Sequence, residues 1–267
     1  MRSWSSILAV LAALVTLAAM LAATTANAAQ RTASSSKLVF CSDITYPPEE
    51  FYKGSHPVGS DIEIGTAIAK LLHKTAQFNN TGFDGIIASL LAKKCDAVIS
   101  GMNDTPERRK QVAFVDYLSV GQSLMVKKGN PRHISSLTSL SGHSVSVEVG
   151  TTNKTFLDQE SKKLKAKGKK GIKVVSFPKD TDAAAALKTG RVDAYFGDSP
   201  VVAYYIAKDS SFAFGGSPIN PIPVGIALRK HDSLRPAVQQ AVTAMYANGT
   251  MKRILAKWKM TDFALKR

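Results

Sequence analysis

Ser100-Gly101-Met102-Asn103-Asp104-Thr105-Pro106-Glu107-Arg108-Arg109 combines residue types that hold an anion at the start of a helix. The stretch follows the apolar run Ala97-Val98-Ile99, read within a buried strand over 95–100. Thr105 as N-cap and Pro106 at the first helical position mark where the helix begins. Free backbone N–H groups and the positive end of the helix dipole face the ligand there, and Arg108 offers a guanidinium that grips a carboxylate through two parallel hydrogen bonds. A second corner of this kind follows the alternating segment 144–149, where Gly150-Thr151-Thr152-Asn153 leads into a helix from about 154 to 167. Asp43 and Tyr46 lie just past a first strand, stopped by Pro47-Pro48, and Asp198 leaves another buried strand. Taken singly, these residues have plainer uses: Tyr46 and Phe83 as core aromatics, Asp198 and Asp84 as helix caps. Their recurrence at matched corners favours binding. No glycine-rich nucleotide loop, metal cluster or nucleophile–base pair accompanies them, so no catalytic residue, metal or cofactor is expected.

The elements that must position these corners alternate. A strand at 37–42 precedes a helix with Ile64, Ile68, Leu71 and Leu72 on one face, then a weak strand at 76–79 and a helix with Ile86, Ile87, Leu90 and Leu91. Such alternation predicts an α/β fold with mostly parallel sheets flanked by helices. Leu90–Gly101 also resembles Ala186–Asp198: each is a helix end, a tight turn, the pair Asp-Ala, a buried strand and a polar exit. Two such units predict two lobes of like architecture with their loops at strand C-termini. The closing helices, with Val238, Val242, Met245, Met251, Ile254 and Leu255, are expected to cover the first lobe. The chain then crosses between lobes twice, near 119–123 and 220–224, and two extended crossovers make a hinge. The expected division is lobe 1 at 37–121 and 223–267, and lobe 2 at 122–222.

Composition narrows the class. Arg2, the apolar run 7–23 and Ala26-Asn27-Ala28 read as a cleavable signal peptide over 1–28, followed by a flexible tail at 29–36. The protein is therefore expected to be exported to the periplasm. The chain carries a formal charge of +15, dispersed except for the lysine run between Lys162 and Lys170. Without interleaved aromatics that run reads as a solvated face, and no nucleic-acid partner is expected. Cys41 and Cys95 sit in an oxidising compartment, but both are read in parallel strands, staggered along the sheet; two buried thiols are preferred to a disulfide.

Asp43-x-x-Tyr46-Pro47-Pro48, Gly59-Ser60-Asp61-Ile62-Glu63, Phe83-Asp84-Gly85-Ile86-Ile87, Ser100-Gly101-Met102 with Thr105-Pro106-Glu107-Arg108, Val149-Gly150-Thr151-Thr152, Gly190-Arg191-Val192-Asp193-Ala194 and Ala247-Asn248-Gly249-Thr250 occur in this order. Together they resemble the solute-binding proteins of ABC importers for polar amino acids, the family of lysine/arginine/ornithine-, histidine- and glutamine-binding proteins. The resemblance implies the type II, two-lobed periplasmic-binding-protein fold with a two-strand hinge. It further implies a monomer that captures a free amino acid and delivers it to an inner-membrane ABC permease. Position by position, it implies that Arg108 holds the ligand α-carboxylate, helped by the N–H groups of Asn103 and Thr152. Asp198 pairs with the α-ammonium beside Ser100 and Gly101. Tyr46 and Phe83 sandwich the side chain, and Asp43 faces its far end.

The chain departs from the family pattern at three places. Glu49 stands where an aromatic usually follows the prolines, Glu148 where relatives carry a lysine or an apolar residue, and Asn103 replaces a serine or threonine. Asp43, Glu148 and Glu49 make an acidic side-chain end, which points to a cationic ligand such as lysine, arginine, ornithine or histidine. Two rivals remain. One is an exported dehydratase of this fold acting on prephenate or arogenate, with Glu148 as a general acid. The other is a receptor's sensor module, which needs a transmembrane helix after the last lobe, whereas the sequence stops at Arg267.

Overall fold

The apolar runs fold, in a computed structural model that describes residues 36–266, as strands and helices broken by glycine, proline and small polar residues. The signal peptide expected at 1–28, and the expected tail but for its last residue, lie outside the described residues. The first elements are β1 (Lys37–Ser42), β2 (Thr45–Tyr46), β3 (Glu50–Lys53), β4 (His56–Val58), α1 (Ser60–Leu71), β5 (Thr75–Asn80), α2 (Ile86–Leu91), β6 (Ala97–Val98), α3 (Pro106–Arg109) and β7 (Val112–Lys127). There follow β8 (Ser144–Glu148), α4 (Thr152–Ala166), β9 (Lys173–Phe177), α5 (Asp180–Lys188), β10 (Ala194–Asp198), α6 (Ser199–Lys208), β11 (Phe212–Phe214) and β12 (Ile219–Arg229). The chain closes with α7 (Leu234–Ala247) and α8 (Thr250–Lys257). No helix among the described residues is long and apolar enough to cross a membrane.

One sheet runs in the order β5-β1-β6-β12-β7-β10-β8-β9. It is parallel where helices connect the strands, at β1–β6, β10–β8 and β8–β9, and antiparallel along the two long strands. β7 pairs with β12 from Val112 to Gln122, then with β10 and β11 from Gln122 to Lys127. A single strand therefore serves both halves of the sheet. Buried side chains form separate clusters on each half. Leu38, Phe40, Ile64, Ile68 and Val115 pack under α7 and α8 on one face of the first half, and Ile86, Leu90, Val98 and Met102 fill the other. The second half has Leu157, Val145 and Phe196 on one face and Leu187, Tyr195 and Val201 on the other. The closing helices cover the first half, as expected of helices that follow a second unit already closed on itself.

The internal resemblance holds at atomic detail. Lys93 and Gly190, both in the left-handed region at φ 59° and 75°, follow the matched helices. Asp96 then takes the Val39 N–H on its carboxylate and gives its own N–H to the Val39 carbonyl, at 2.8 Å each. Asp193 does the same with Ser144, at 2.9 Å each. In both halves one aspartate clamps the incoming strand to its parallel neighbour, leaving the polar exit of that strand at the sheet's C-terminal edge.

The expectation of two free thiols is overturned: Cys41 and Cys95 form a disulfide with Cα atoms 5.6 Å apart. The strand read over 95–100 is only Ala97–Val98, and Cys95 belongs to the turn before it. Had that strand begun at Cys95, the register of Cys41 opposite Val98 would have set the two cysteines three residues apart along the sheet, about 10 Å. The turn removes this stagger. Asp84 also differs from its expected role, since it lies exposed inside a 3-10 turn at Phe83–Gly85 and caps nothing.

Candidate functional site

Thr105 begins α3 as its sequence requires: the hydroxyl accepts the Arg108 N–H at 3.2 Å, and Pro106 fills the first helical position. Arg108 is thereby set at the edge of the cleft between the two halves of the sheet. Its Nη1 donates to the Asn103 carbonyl at 2.8 Å and its Nη2 to the Gly150 carbonyl at 3.2 Å. The guanidinium lies over the Phe83 ring, 5.3 Å from its centre. Burial lowers its pKa to about 10, which leaves it charged at neutral pH, with Asp198 and Asp104 supporting the charge.

Across the cleft, Thr151 caps α4 by accepting the Lys154 N–H at 3.1 Å and donates its own hydroxyl to the Glu148 carbonyl at 2.8 Å. The helix opens at Thr152, two residues before the sequence pattern placed it. The Thr152 hydroxyl reaches back to the Asn103 side-chain oxygen, and the backbones meet at Gly150. A Cβ there would stand 2.7 Å from Cα of Asp84. Gly150, at φ 78°, is required both by its conformation and by this approach.

Asp43, Tyr46, Phe83, Gly101, Asn103, Glu148, Thr151, Asn153 and Asp198 line one cavity of about 10 Å³, room for about one water. Seven of the ten expected site residues are in that wall. Of the other three, Ser100 stands behind it, accepting the Asp43 N–H and donating to Glu50 Oε1, both at 2.8 Å. Arg108 closes one edge, and Thr152 touches the site through Asn103. Asp198 occupies the cap position of α6 but makes no capping bond; its Oδ1 accepts from Asn153 Nδ2 at 3.0 Å. Its N–H donates to the Tyr46 hydroxyl at 3.2 Å, a bond spanning 152 residues of sequence.

The wall is acidic and buried. Asp43 and Glu148 are each 3% exposed and Asp198 1%. Burial raises the Asp43 pKa, against the hydrogen bonds from Thr45 at 2.7 Å and from the Phe83 N–H at 2.7 Å. Burial, then the charges of Asp180 and Asp43, push Glu148 up to about 10. Burial likewise takes Asp198 to about 6, with Asn153, Tyr46 and Arg108 opposing. No group of three or more His, Cys, Asp and Glu side chains among the described residues is arranged to hold a metal ion.

Several contributors escaped the sequence reading. Asn153 and Thr151, read only as parts of the second corner, line the cavity where Thr152 does not. Gln122 orients Asn153 at 2.6 Å, and Asp180 accepts from the hydroxyls of Tyr195 and Tyr205 at 2.5 and 3.0 Å. Asp61, placed in the sequence only as part of a helix start, accepts the Gly101 N–H at 2.9 Å and the Tyr117 hydroxyl at 2.6 Å. These partners lie tens of residues apart, and no local pattern announces them.

Comparison with known proteins gives consistent results. The family description "Bacterial extracellular solute-binding proteins, family 3" matches residues 38–261. ABC transporter arginine-binding protein 1 of Escherichia coli (strain K12) is 30% identical over 249 residues, covering 91% of this chain and 97% of that protein. Among solved structures, an ancestral arginine-binding protein bound to arginine superposes with a TM-score of 0.78 at 36% identity, covering 84% of this chain and 98% of the other. The ancestral amino acid-binding protein AncCDT-1, a precursor of cyclohexadienyl dehydratase, gives 0.76 at 33% identity, covering 84% and 95%.

Proposed function

Because this chain belongs to the bacterial extracellular solute-binding proteins of family 3, with their type II fold, we propose that it captures a free amino acid with a cationic side chain, arginine foremost, and delivers it to an ABC importer. The observation that carries this reading is the cavity walled by Asp43, Glu148 and Asp198, with the Arg108 guanidinium at one edge. That arrangement matches a zwitterion carrying a second positive charge: Arg108 takes the α-carboxylate with the N–H groups of Asn103 and Thr152. Asp198 takes the α-ammonium beside Ser100 and Gly101, Tyr46 and Phe83 flank the side chain, and Asp43 with Glu148 meets its far end.

The lobes are 37–121 with 223–267, and 122–222, turning about β7 near 119–123 and β12 near 220–224. A cavity of about 10 Å³ is far below the few hundred Å³ of a small-molecule pocket, so access requires the lobes to part. The contacts Asn103–Thr152 and Tyr46–Asp198 then re-form around the ligand. The protein acts as a periplasmic monomer exported by its signal peptide, and it is a binding protein and not an enzyme. What supports this last point is that the arginine-binding relatives are named as binding proteins.

Calorimetric titration of the purified protein with arginine, glutamine and glutamate tests the reading. Arginine should bind tightest and glutamate weakest; preference for glutamate ends it.

A further inference from the structure

Glu49 is 0% exposed, and neither carboxyl oxygen has a hydrogen-bond partner. An ionised carboxylate in that condition is not tolerated in a protein interior, so the group is either neutral or meets a cation. Among the described residues, the groups that face it supply none. The groups that face it are Asp61 at the start of α1, Asp198 and Asp180 from the second half of the sheet, its neighbour Glu50, and the phenols of Tyr46 and Tyr117. All are acidic or neutral. Burial, then these carboxylates, hold Glu49 well above the ordinary carboxylate range.

Its position is informative. The sequence pattern grouped Glu49 with Asp43 and Glu148 at the side-chain end of the site. The structure sets it beside Gly101 and Tyr46, within electrostatic reach of Asp198. A Cβ on Gly101 would stand 3.1 Å from the Tyr46 ring and 3.7 Å from the Glu49 carboxyl carbon. Gly101 and Tyr46 both line the cavity, and Glu49 stands behind them.

We propose that Glu49 is a ligand-binding, specificity-determining residue: with Asp198 it receives the α-ammonium of the captured amino acid beside Gly101. The assignment rests on the reading of the cleft as an amino-acid site. An ammonium has three N–H donors; the wall offers Asp198, part of whose capacity is already given to Asn153, and behind the wall stand two Glu49 oxygens that accept nothing. The arriving cation stabilises the carboxylate form, so Glu49 gives its proton to solvent as the complex forms. Binding through this residue thus selects ligands with a free α-amino group and releases a proton.

The test is calorimetric titration of wild type and Glu49→Gln with L-arginine and with its deamino analogue 5-guanidinopentanoate, in two buffers of different ionisation enthalpy. Glu49→Gln should bind arginine about 10- to 100-fold more weakly and release about one proton fewer, while its affinity for the deamino analogue matches wild type. Unchanged arginine affinity, or unchanged proton release, overturns the assignment. Should Glu49→Gln fail to fold, wild type alone decides, because arginine must then release about one proton more than the deamino analogue, and equal release overturns the proposal. Failure here leaves wild-type arginine binding intact, whereas failure of the underlying functional reading removes it.

Discussion

The Arg108 guanidinium donates to the Gly150 carbonyl at 3.2 Å, tying the short helix after β6 to the turn that opens α4, 42 residues away. The same group stacks on Phe83 and donates to its own turn through Asn103. An anion reaching the cleft can exchange the two carbonyl acceptors for a carboxylate, a stronger partner for a planar fork of donors. Arg108→Ala should therefore weaken binding of every amino acid tested by about 100-fold or more, with little change in melting temperature. Arg108→Lys should recover only part of this, since an ammonium cannot make the paired contact. Undiminished affinity in Arg108→Ala, read by calorimetry, contradicts the assignment.

Gly150 makes a sharper prediction about closure. At φ 78°, with Cα of Asp84 2.7 Å from a would-be Cβ, it cannot take a side chain while the two turns touch. Gly150→Ala should cost about 1 kcal/mol of stability from its backbone conformation. It should also raise the ligand dissociation rate at least about tenfold, because the turns are held apart. Stopped-flow displacement measures the second effect; an unchanged rate shows that these turns need not meet.

The buried acids set the sign of the pH dependence. Asp198 is held at about 6, Asp180 at about 7 and Glu148 at about 10, in each case by burial first. Carboxylates raised in the folded state stabilise it fully below their unfolded pKa, and that contribution is lost as pH rises through the folded values. Asp193 and Asp209 are lowered, Asp209 to about 2, and their opposite contribution is complete above the ordinary carboxylate range of about 4. Without ligand, the melting temperature should therefore fall from about pH 5 to pH 8, and the increment added by arginine should grow over the same interval. A ligand-free melting temperature that climbs from pH 5 to pH 8 contradicts this account of the wall.

The Cys41–Cys95 disulfide closes a loop spanning 54 residues that contains α1, β5 and α2. On the chain-entropy model a loop of this length is worth about 4 kcal/mol, or a drop of about 10 °C in melting temperature on reduction. Scanning calorimetry with and without reductant reads it. Since neither sulfur lines the cavity, arginine affinity measured below the transition should not change.

Much of the site was legible because it sits at strand exits, where local chemistry leaves marks. Thr105-Pro106 fixed the start of α3 and so the place of Arg108, and Gly150-Thr151 marked the second corner. The repeated Asp-Ala pair pointed to like halves, and Asp96 and Asp193 clamp their strands identically. Legibility ended at two kinds of detail. Two-residue offsets hid Cys95 in a turn and moved the start of α4, because strand and helix ends depend on tertiary hydrogen bonds that no window of sequence contains. The second layer of acids was only partly legible, with Glu49 read at the ligand's side-chain end and Asp61 only as part of a helix start, since the layer's partners Tyr117, Gly101 and Ser100 are brought from elsewhere in the chain.

The central claim is that two lobes draw together on an amino acid held at its charged end by Arg108 from one side and Asp198 from the other. Small-angle scattering of the wild-type protein with and without arginine tests it most directly. The account predicts that the radius of gyration falls on adding arginine, and that Arg108→Ala shows no change at the same concentration. A wild-type radius that does not move when arginine is bound would contradict it.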